Sequence, residues 1–368
     1  MNPVKAESRS AIRIATVYSD SYFRGFRACD MSLVRWLRIS EALACAGYSV
    51  DMVINLIGTF PIEAPNLRQV SFDEVKWDKY HVIKTLFHQG FETLMRADAH
   101  QHPFIISKLG SVVGRQEATS GVYFFGDEHR GLLNIQSEIA CYSKYVSILT
   151  RQSEDLWKSL HESPAQVLIV PTGVDRYLPR PGINPYSHIG QKIAVYIGNI
   201  YTDTQRDINR LWQNRLNELG AQLRPYEIRL CLVGPGDTSQ LDPELVTYMG
   251  AIDQDRIWDY FYYADVGLSL AQGLEQHNES SKIYYYLRAG LPVVSEAPVP
   301  NNWLLEESGL GFVAPYGEPG ILAERIHEAS IRKWDFERGT RYILDNHTWN
   351  HRADIYQNII DATIAVNR

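Results

Sequence analysis

Residues Asn278 to Pro298 read NESSKIYYYLRAGLPVVSEAP, and the reading of this stretch decides the fold. Its end, Leu291 to Glu296, is a short β-branched run that predicts a buried strand. Its beginning is a polar loop that turns into a helix near Glu279 or Ser280, and Gly290 closes that helix. Another apolar run, Ala264 to Ala271, precedes the loop. The local order is therefore strand, loop, helix, strand, the unit of parallel sheets covered by helices. In such sheets ligands collect at the carboxyl ends of the strands, where loops meet helix N-termini.

Outward from this unit the alternation continues. Strands are predicted in the second half at Ile193–Asn199, Glu227–Gly234 and Gly311–Pro315. In the first half they are predicted at Ala11–Ser19, Tyr48–Leu56, Tyr80–Leu86, His102–Leu109, Tyr145–Thr150 and Gln166–Val174. Between the halves, DRYLPRPGINPYSHIG (Asp175 to Gly190) carries three prolines and two glycines and reads as a linker. The expectation is α/β architecture with two Rossmann-like doubly wound domains, residues 11–180 and 190–347, facing each other across a cleft. The helical pattern of residues 348–368 reaches back to the first domain. A chain of 368 residues suits two cores of this size.

With 45% hydrophobic and 21% charged residues the composition is that of a soluble globular protein. A net charge of -7 argues against a general nucleic-acid binder, whose surface is normally basic. Nothing in the chain is apolar over the roughly 18 residues that a membrane span needs, and the N-terminus lacks a signal-peptide core. A cytoplasmic protein is expected. Cys29, Cys45, Cys141 and Cys231 lie apart among apolar neighbours, without a CxxC pair, and read as reduced core thiols.

Lys282 is the conspicuous residue. Amides at a helix start attract anions, Ser280 and Ser281 add hydroxyls, and a lysine in the first turn opposes the helix dipole unless an anion compensates it. The alternative is a serine cap followed by a solvated lysine. Three tempting motifs lead elsewhere: Asp253–Asp255 (DQD) reads as helix capping, His100–His102 (HQH) lacks a third ligand, and Ser19–Phe26 fails the G-x-G-x-x-G test.

Ser280, Ser281, Lys282, Tyr285, Ala289, Gly290, Pro292, Val293 and Val294 follow a register that resembles the donor-binding element of GT-B glycosyltransferases of the GT4 type. VPTGVDRYLP, AVYIGNIYTDTQRDINRLW, LCLVGPG and VTYMGAIDQDRIWDYFYYADVGLSL resemble further elements of that family in the same order. The resemblance covers Ile193 to Ile364 well and the first half loosely. It departs from the family at the E-x7-E motif, where Tyr285 stands for the second glutamate and His277 lies eight residues earlier.

The resemblance implies a retaining, metal-independent transfer from a UDP-sugar, most similar to the glucosyltransferases of bacterial and cyanobacterial exopolysaccharide assembly, with no cofactor required. It places the donor against Gly198, Asn199, Arg206, Gly234, Gly250, Ala251, Ile252, Glu279, Ser280, Ser281, Lys282 and Tyr285, with Lys282, Arg206, Glu275 and Asp127 near the chemistry. Arg24, Gly25 and Lys108 fall on the acceptor side. The acceptor is expected to be a polysaccharide or lipid-linked saccharide. A basic and aromatic mixture around Arg24, Arg27, Arg35 and Arg38 suits a lipid diphosphate at the inner membrane face, or else a core helix with a solvated basic face. A sugar-nucleotide epimerase of the same fold and a nucleotide-binding partner module are the rival expectations.

Overall fold

In a computed structural model of the protein, residues 9–24, 31–57, 64–114, 126–162, 164–198, 206–252, 256–271 and 276–366 are described. The first sheet contains β1 (Arg13–Arg24), β2 (Ser49–Ile57), β3 (Leu67–Val70), β4 (Val82–Leu86), β5 (Ile105–Lys108), β6 (Tyr145–Ile148) and β7 (Gln166–Ile169). They are ordered β3-β2-β1-β4-β5-β6-β7 with every pairing parallel. The second contains β8 (Lys192–Ile197), β9 (Ile228–Val233), β10 (Val246–Tyr248), β11 (Val266–Ser269), β12 (Val293–Glu296) and β13 (Gly311–Ala314). Its order is β10-β9-β8-β11-β12-β13, again parallel throughout. Both sheets are doubly wound. The strand order reverses between β1 and β4 in one and between β8 and β11 in the other, the positions at which open sheets hold ligands.

The connecting helices are α1 (Met31–Cys45), α2 (Phe87–Arg96), α3 (Gly126–Tyr142), α4 (Arg151–Leu160), α5 (Arg206–Leu223), α6 (Ile257–Tyr262), α7 (Ser281–Arg288), α8 (Trp303–Ser308), α9 (Pro319–Ile331), α10 (Phe336–Asn346) and α11 (Trp349–Val366). Two strands escape the sequence pattern. β3 and β10 are edge strands with the sequences LRQV and VTY, too short and too polar to show a buried run.

The chain forms two compact units, Met1–Gly173 with His277–Glu279 and Trp349–Arg368, and Val174–Gln276 with Ser280–Thr348. In the first, α11 presents Trp349, Ala353, Tyr356 and Ile360 on one helical face to a core that includes Trp36, Leu43 and Tyr48. Burying side chains of this size stabilises by about 1.5–3 kcal/mol each. Polar contacts fix the helix register: Arg9 pairs with Asp361, and the Tyr48 hydroxyl donates to Asp361 at 2.5 Å. In the second unit Trp212, Leu216, Leu219 and Leu223 of α5 pack against Leu230, Leu232 and Leu268.

Several expectations change here. The proline-rich stretch is not free chain: Tyr186 is buried and donates to the Tyr260 carbonyl at 3.1 Å, and the Gly182 amide donates to Asp259 at 2.7 Å. Cys231 is a buried thiol, but Cys45 and Cys141 are exposed, because the helix positions they occupy face outward. Cys29 lies outside the described residues. Arg35 is not part of a solvated face; it turns inward, 8% exposed, to reach the Thr172 hydroxyl at 2.8 Å. Among the described residues no helix is long and apolar enough to cross a membrane.

Candidate functional site

The switch point of the second sheet is built on glycine. Gly198 follows β8, and its amide donates to the Val233 carbonyl at 2.9 Å. A Cβ at Gly198 would stand 2.9 Å from Cε and 3.2 Å from Nζ of Lys282, so only glycine leaves the lysine this place. Gly234, after β9, has φ +144°, and a Cβ there would lie 1.9 Å from the Gly198 carbonyl oxygen. Its amide donates to the Gly250 carbonyl at 3.0 Å, and the Tyr248 hydroxyl donates to the Gly234 carbonyl at 2.8 Å. Gly250, with φ +82°, has open space beside it, and Ala251 next to it is exposed. The three strand ends are thus stitched into one backbone surface, with Ile252 half-buried at its edge.

Lys282 projects over this surface. Its ammonium lies 5.0 Å from the centroid of the Tyr196 ring, and burial alone pushes its pKa down to about 8. Among the described residues no carboxylate pairs with it. An ammonium drawn out of water and set over an aromatic ring favours an incoming anion, which restores the lost solvation.

Three side chains that sequence reading passed over, in two devices, hold this arrangement. Asn301 is buried and grips the backbone of Ser280 at both ends, accepting from its amide at 2.8 Å and donating to its carbonyl at 2.9 Å. That contact fixes where α7 begins and leaves the Ser280 side chain without a capping bond; Ser281 opens the helix half-buried. At the end of β11 the paired Arg215 and Glu296 hold Ala271, Arg215 donating to its carbonyl at 2.6 Å and its amide donating to Glu296 at 2.7 Å. Neither device has a sequence signature, since each joins residues far apart in the chain.

The tyrosines of the opening stretch serve packing. Tyr285 is 6% exposed with its ring 5.7 Å from Trp258, and Tyr286 stands against Gly267 and accepts from the Ile197 amide at 3.1 Å. Glu279, expected at the donor, belongs to the first unit, where it accepts from the Thr172 amide. Lys108 lies in the interior of that unit and donates to the Val170 carbonyl at 2.9 Å. Gly25, Asn199 and Glu275 lie outside the described residues, as do the side chains of Arg24, Asp127 and Arg206. No group of three His, Cys, Asp or Glu with metal-binding geometry occurs among the described residues.

No protein-family model and no curated protein matches the sequence. Solved structures do. The chain is similar to sucrose-phosphate synthase of Thermosynechococcus elongatus at 15% identity and TM-score 0.68, over 96% of this chain and 100% of that one. HepE of Anabaena, solved with UDP and glucose, matches at 12% identity and TM-score 0.67 over 95% and 100% of the two chains. WaaG, a glycosyltransferase involved in lipopolysaccharide biosynthesis, matches at 17% identity and TM-score 0.62 over 95% and 99%. The chain therefore has the two-sheet α/β fold of GT-B glycosyltransferases.

Proposed function

We propose that this GT-B protein is a metal-independent, retaining glycosyltransferase that moves a sugar, glucose first among candidates, from a UDP-sugar to a polysaccharide or lipid-linked acceptor. The observation that carries the reading is Lys282: an ammonium that no carboxylate pairs with among the described residues, held over Tyr196 and beside Gly198 at the switch point of a parallel sheet. Support comes from the fold, whose solved examples include complexes with UDP, UDP-glucose and UDP-2-fluoro glucose.

In this reading the diphosphate lies on the Gly198 and Gly234 backbone, where absent side chains permit close approach. Lys282 meets the charge that grows on the leaving phosphate, an interaction stronger in the transition state than in the ground state. The Ser280 and Ser281 hydroxyls and the start of α7 add fixed donors, and Asn199 and Arg206, which follow β8 in the chain, are assigned to the donor as well. The exposed turn at Gly250–Ile252 receives the base. A phosphate oxygen of the leaving group accepts the acceptor's proton, so no carboxylate nucleophile is required. The first unit takes the acceptor, with the enzyme working in the cytoplasm at or near the inner membrane face.

One observation favours a second reading, a nucleotide-binding partner without turnover: Tyr285, at the position of the family's ribose-holding glutamate, is packed on Trp258. Incubation with a panel of UDP- and GDP-sugars separates the readings. Slow release of free sugar and UDP supports the transferase, an isomerised donor indicates an epimerase, and binding without turnover indicates the partner module.

A further inference from the structure

A pocket of about 300 Å³ opens at the amino ends of the first sheet, walled by Arg13 of β1, Asp51 of β2, Arg68 and Gln69 of β3, and parts of the segment 74–80 that leads into β4. It lies at the opposite edge of the sheet from the carboxyl ends, where doubly wound folds collect the ligands of their reactions. Asp51 forms its floor. The Asp51 side chain is 1% exposed, and its oxygens accept from Arg13 Nη2 at 3.1 Å, from Arg68 Nε and Nη2, both at 2.9 Å, and from the Tyr80 hydroxyl at 2.8 Å. Burial, and then the bond to Asp51, raise the pKa of Tyr80, so the hydroxyl stays a donor. Four bonds fill the lone pairs of a carboxylate.

One carboxylate thus holds two guanidiniums in place without satisfying them. Arg13 is braced further by the Tyr80 ring, whose centroid lies 4.9 Å from the guanidinium carbon. Nε and Nη1 of Arg13 and Nη1 of Arg68 meet no acceptor among the described residues. Nearer the mouth, the exposed Glu74 and Lys76 and the half-buried Gln69 line the pocket with side chains that make no bond among the described residues. Lys79 pairs with Asp78 at 3.2 Å. Beyond that pair, three cations stand against two carboxylates, and one of the two is already spent.

The open donors call for an oxyanion, and phosphate is the group that arginine forks and a lysine bind together. Glu74 and the Gln69 carbonyl need the reverse, hydrogen-bond donors, which hydroxyl groups supply. A volume of about 300 Å³ is at the small end of ligand pockets. We propose that this pocket binds a small hydroxylated phosphate monoester, a phosphorylated sugar in class, at a site separate from that of the sugar donor. The proposal does not depend on the transferase reading. The phosphate takes the open donors of Arg13, Arg68 and Lys76, and the hydroxyls take Glu74 and Gln69. Because Arg13 begins β1 and Tyr80 precedes β4, the ligand grips the amino ends of the two strands between which the sheet order reverses.

The test is calorimetric titration of the full chain with glucose 6-phosphate in a buffer free of phosphate. Binding to the wild type is expected, weaker by about ten-fold or more in Arg68→Gln and by roughly two- to five-fold in Lys76→Ala, whose charge is exposed. Glu74→Ala should weaken glucose 6-phosphate relative to inorganic phosphate. Excess UDP should leave glucose 6-phosphate bound. Thermal melts report whether Arg68→Gln is folded, and the two exposed positions keep the test open if it is not. No binding to the wild type, unchanged binding in every folded variant of the pocket, or displacement by UDP overturns the proposal. Inorganic phosphate binding as tightly as glucose 6-phosphate overturns the assignment to a hydroxylated ligand, and glucuronate binding as tightly overturns the choice of phosphate over carboxylate.

Discussion

The two sheets share a topology and differ in what they place at their strand ends. The second sheet ends in glycines and a single ammonium: Gly198, Gly234 and Gly250 bring backbone together, and Lys282 hangs over it. The first sheet ends in side chains, with Lys84, Lys108 and Thr172 gathered by Arg35 and Arg352. A glycine surface leaves its main chain open to close approach and adapts little. A side-chain cluster concentrates charge and titrates. One winding rule thus supports two kinds of strand end, set by which residues follow the strands.

The contrast breaks first at Gly234. Gly234→Ala forces a Cβ to within 1.9 Å of the Gly198 carbonyl at a φ of +144°, so urea unfolding should show a loss of more than about 3 kcal/mol. An unchanged midpoint would mean that the glycine surface is not built as described. Lys282→Ala should lower UDP-sugar turnover by roughly thirty-fold to a thousand-fold, the scale of one transition-state donor. Its melting temperature should hold or rise, because an ammonium that loses solvation and pairs with no carboxylate among the described residues is removed. Lost stability with full turnover would make Lys282 a structural residue.

A pH scan sharpens the comparison on the first unit. Burial pushes His88 down to about 4 from its ordinary 6.5, although Gln136 Oε1 accepts from its Nε2–H at 3.1 Å. The unfolded chain binds the proton more readily, so the stabilisation is full above pH 6.5 and is lost as pH falls from 6.5 toward 4. The loss amounts to about 3 kcal/mol. His88→Asn should flatten the melting temperature over that window; an unaltered slope would assign the pH response to other groups. Asn301→Leu should cost about 1–3 kcal/mol by leaving the Ser280 backbone unpaired, and should raise the KM for donor as α7 loses its fixed start. Smallest of all is the effect expected from excess EDTA, which should leave turnover unchanged; loss restored by magnesium or manganese would end the metal-independent reading.

The strands most visible in the sequence are those buried on both faces, such as Ile193–Ile197 and Val293–Glu296, because burial on two sides writes an unbroken apolar run. Lys282 was legible because a cation near a helix start is out of place there. The inward turn of Arg35 and Lys108 was not, since a lysine or arginine in a pattern looks the same whether its end meets water or a hydroxyl 137 residues away. Glu279 shows the same limit: the resemblance placed it at the donor, but it accepts from the amide of Thr172, 107 residues earlier. Asn301 and the Arg215–Glu296 pair act on backbone, and backbone contacts leave no residue pattern to read.

Gly173 and Trp349 touch closely enough that a Cβ on the glycine would lie 2.7 Å from the indole, while Val174 and Thr348 form a parallel bridge. The second unit therefore begins and ends at neighbouring points, as a parenthesis does in a sentence. Joining residue 173 to 349 through a short turn would close the parenthesis and keep every strand of the first sheet. It would also discard Glu279, the carboxylate that faces Lys108. The melting point of the excised protein would show what that carboxylate contributes to a unit that buries Arg35, Lys84, Lys108 and Arg352.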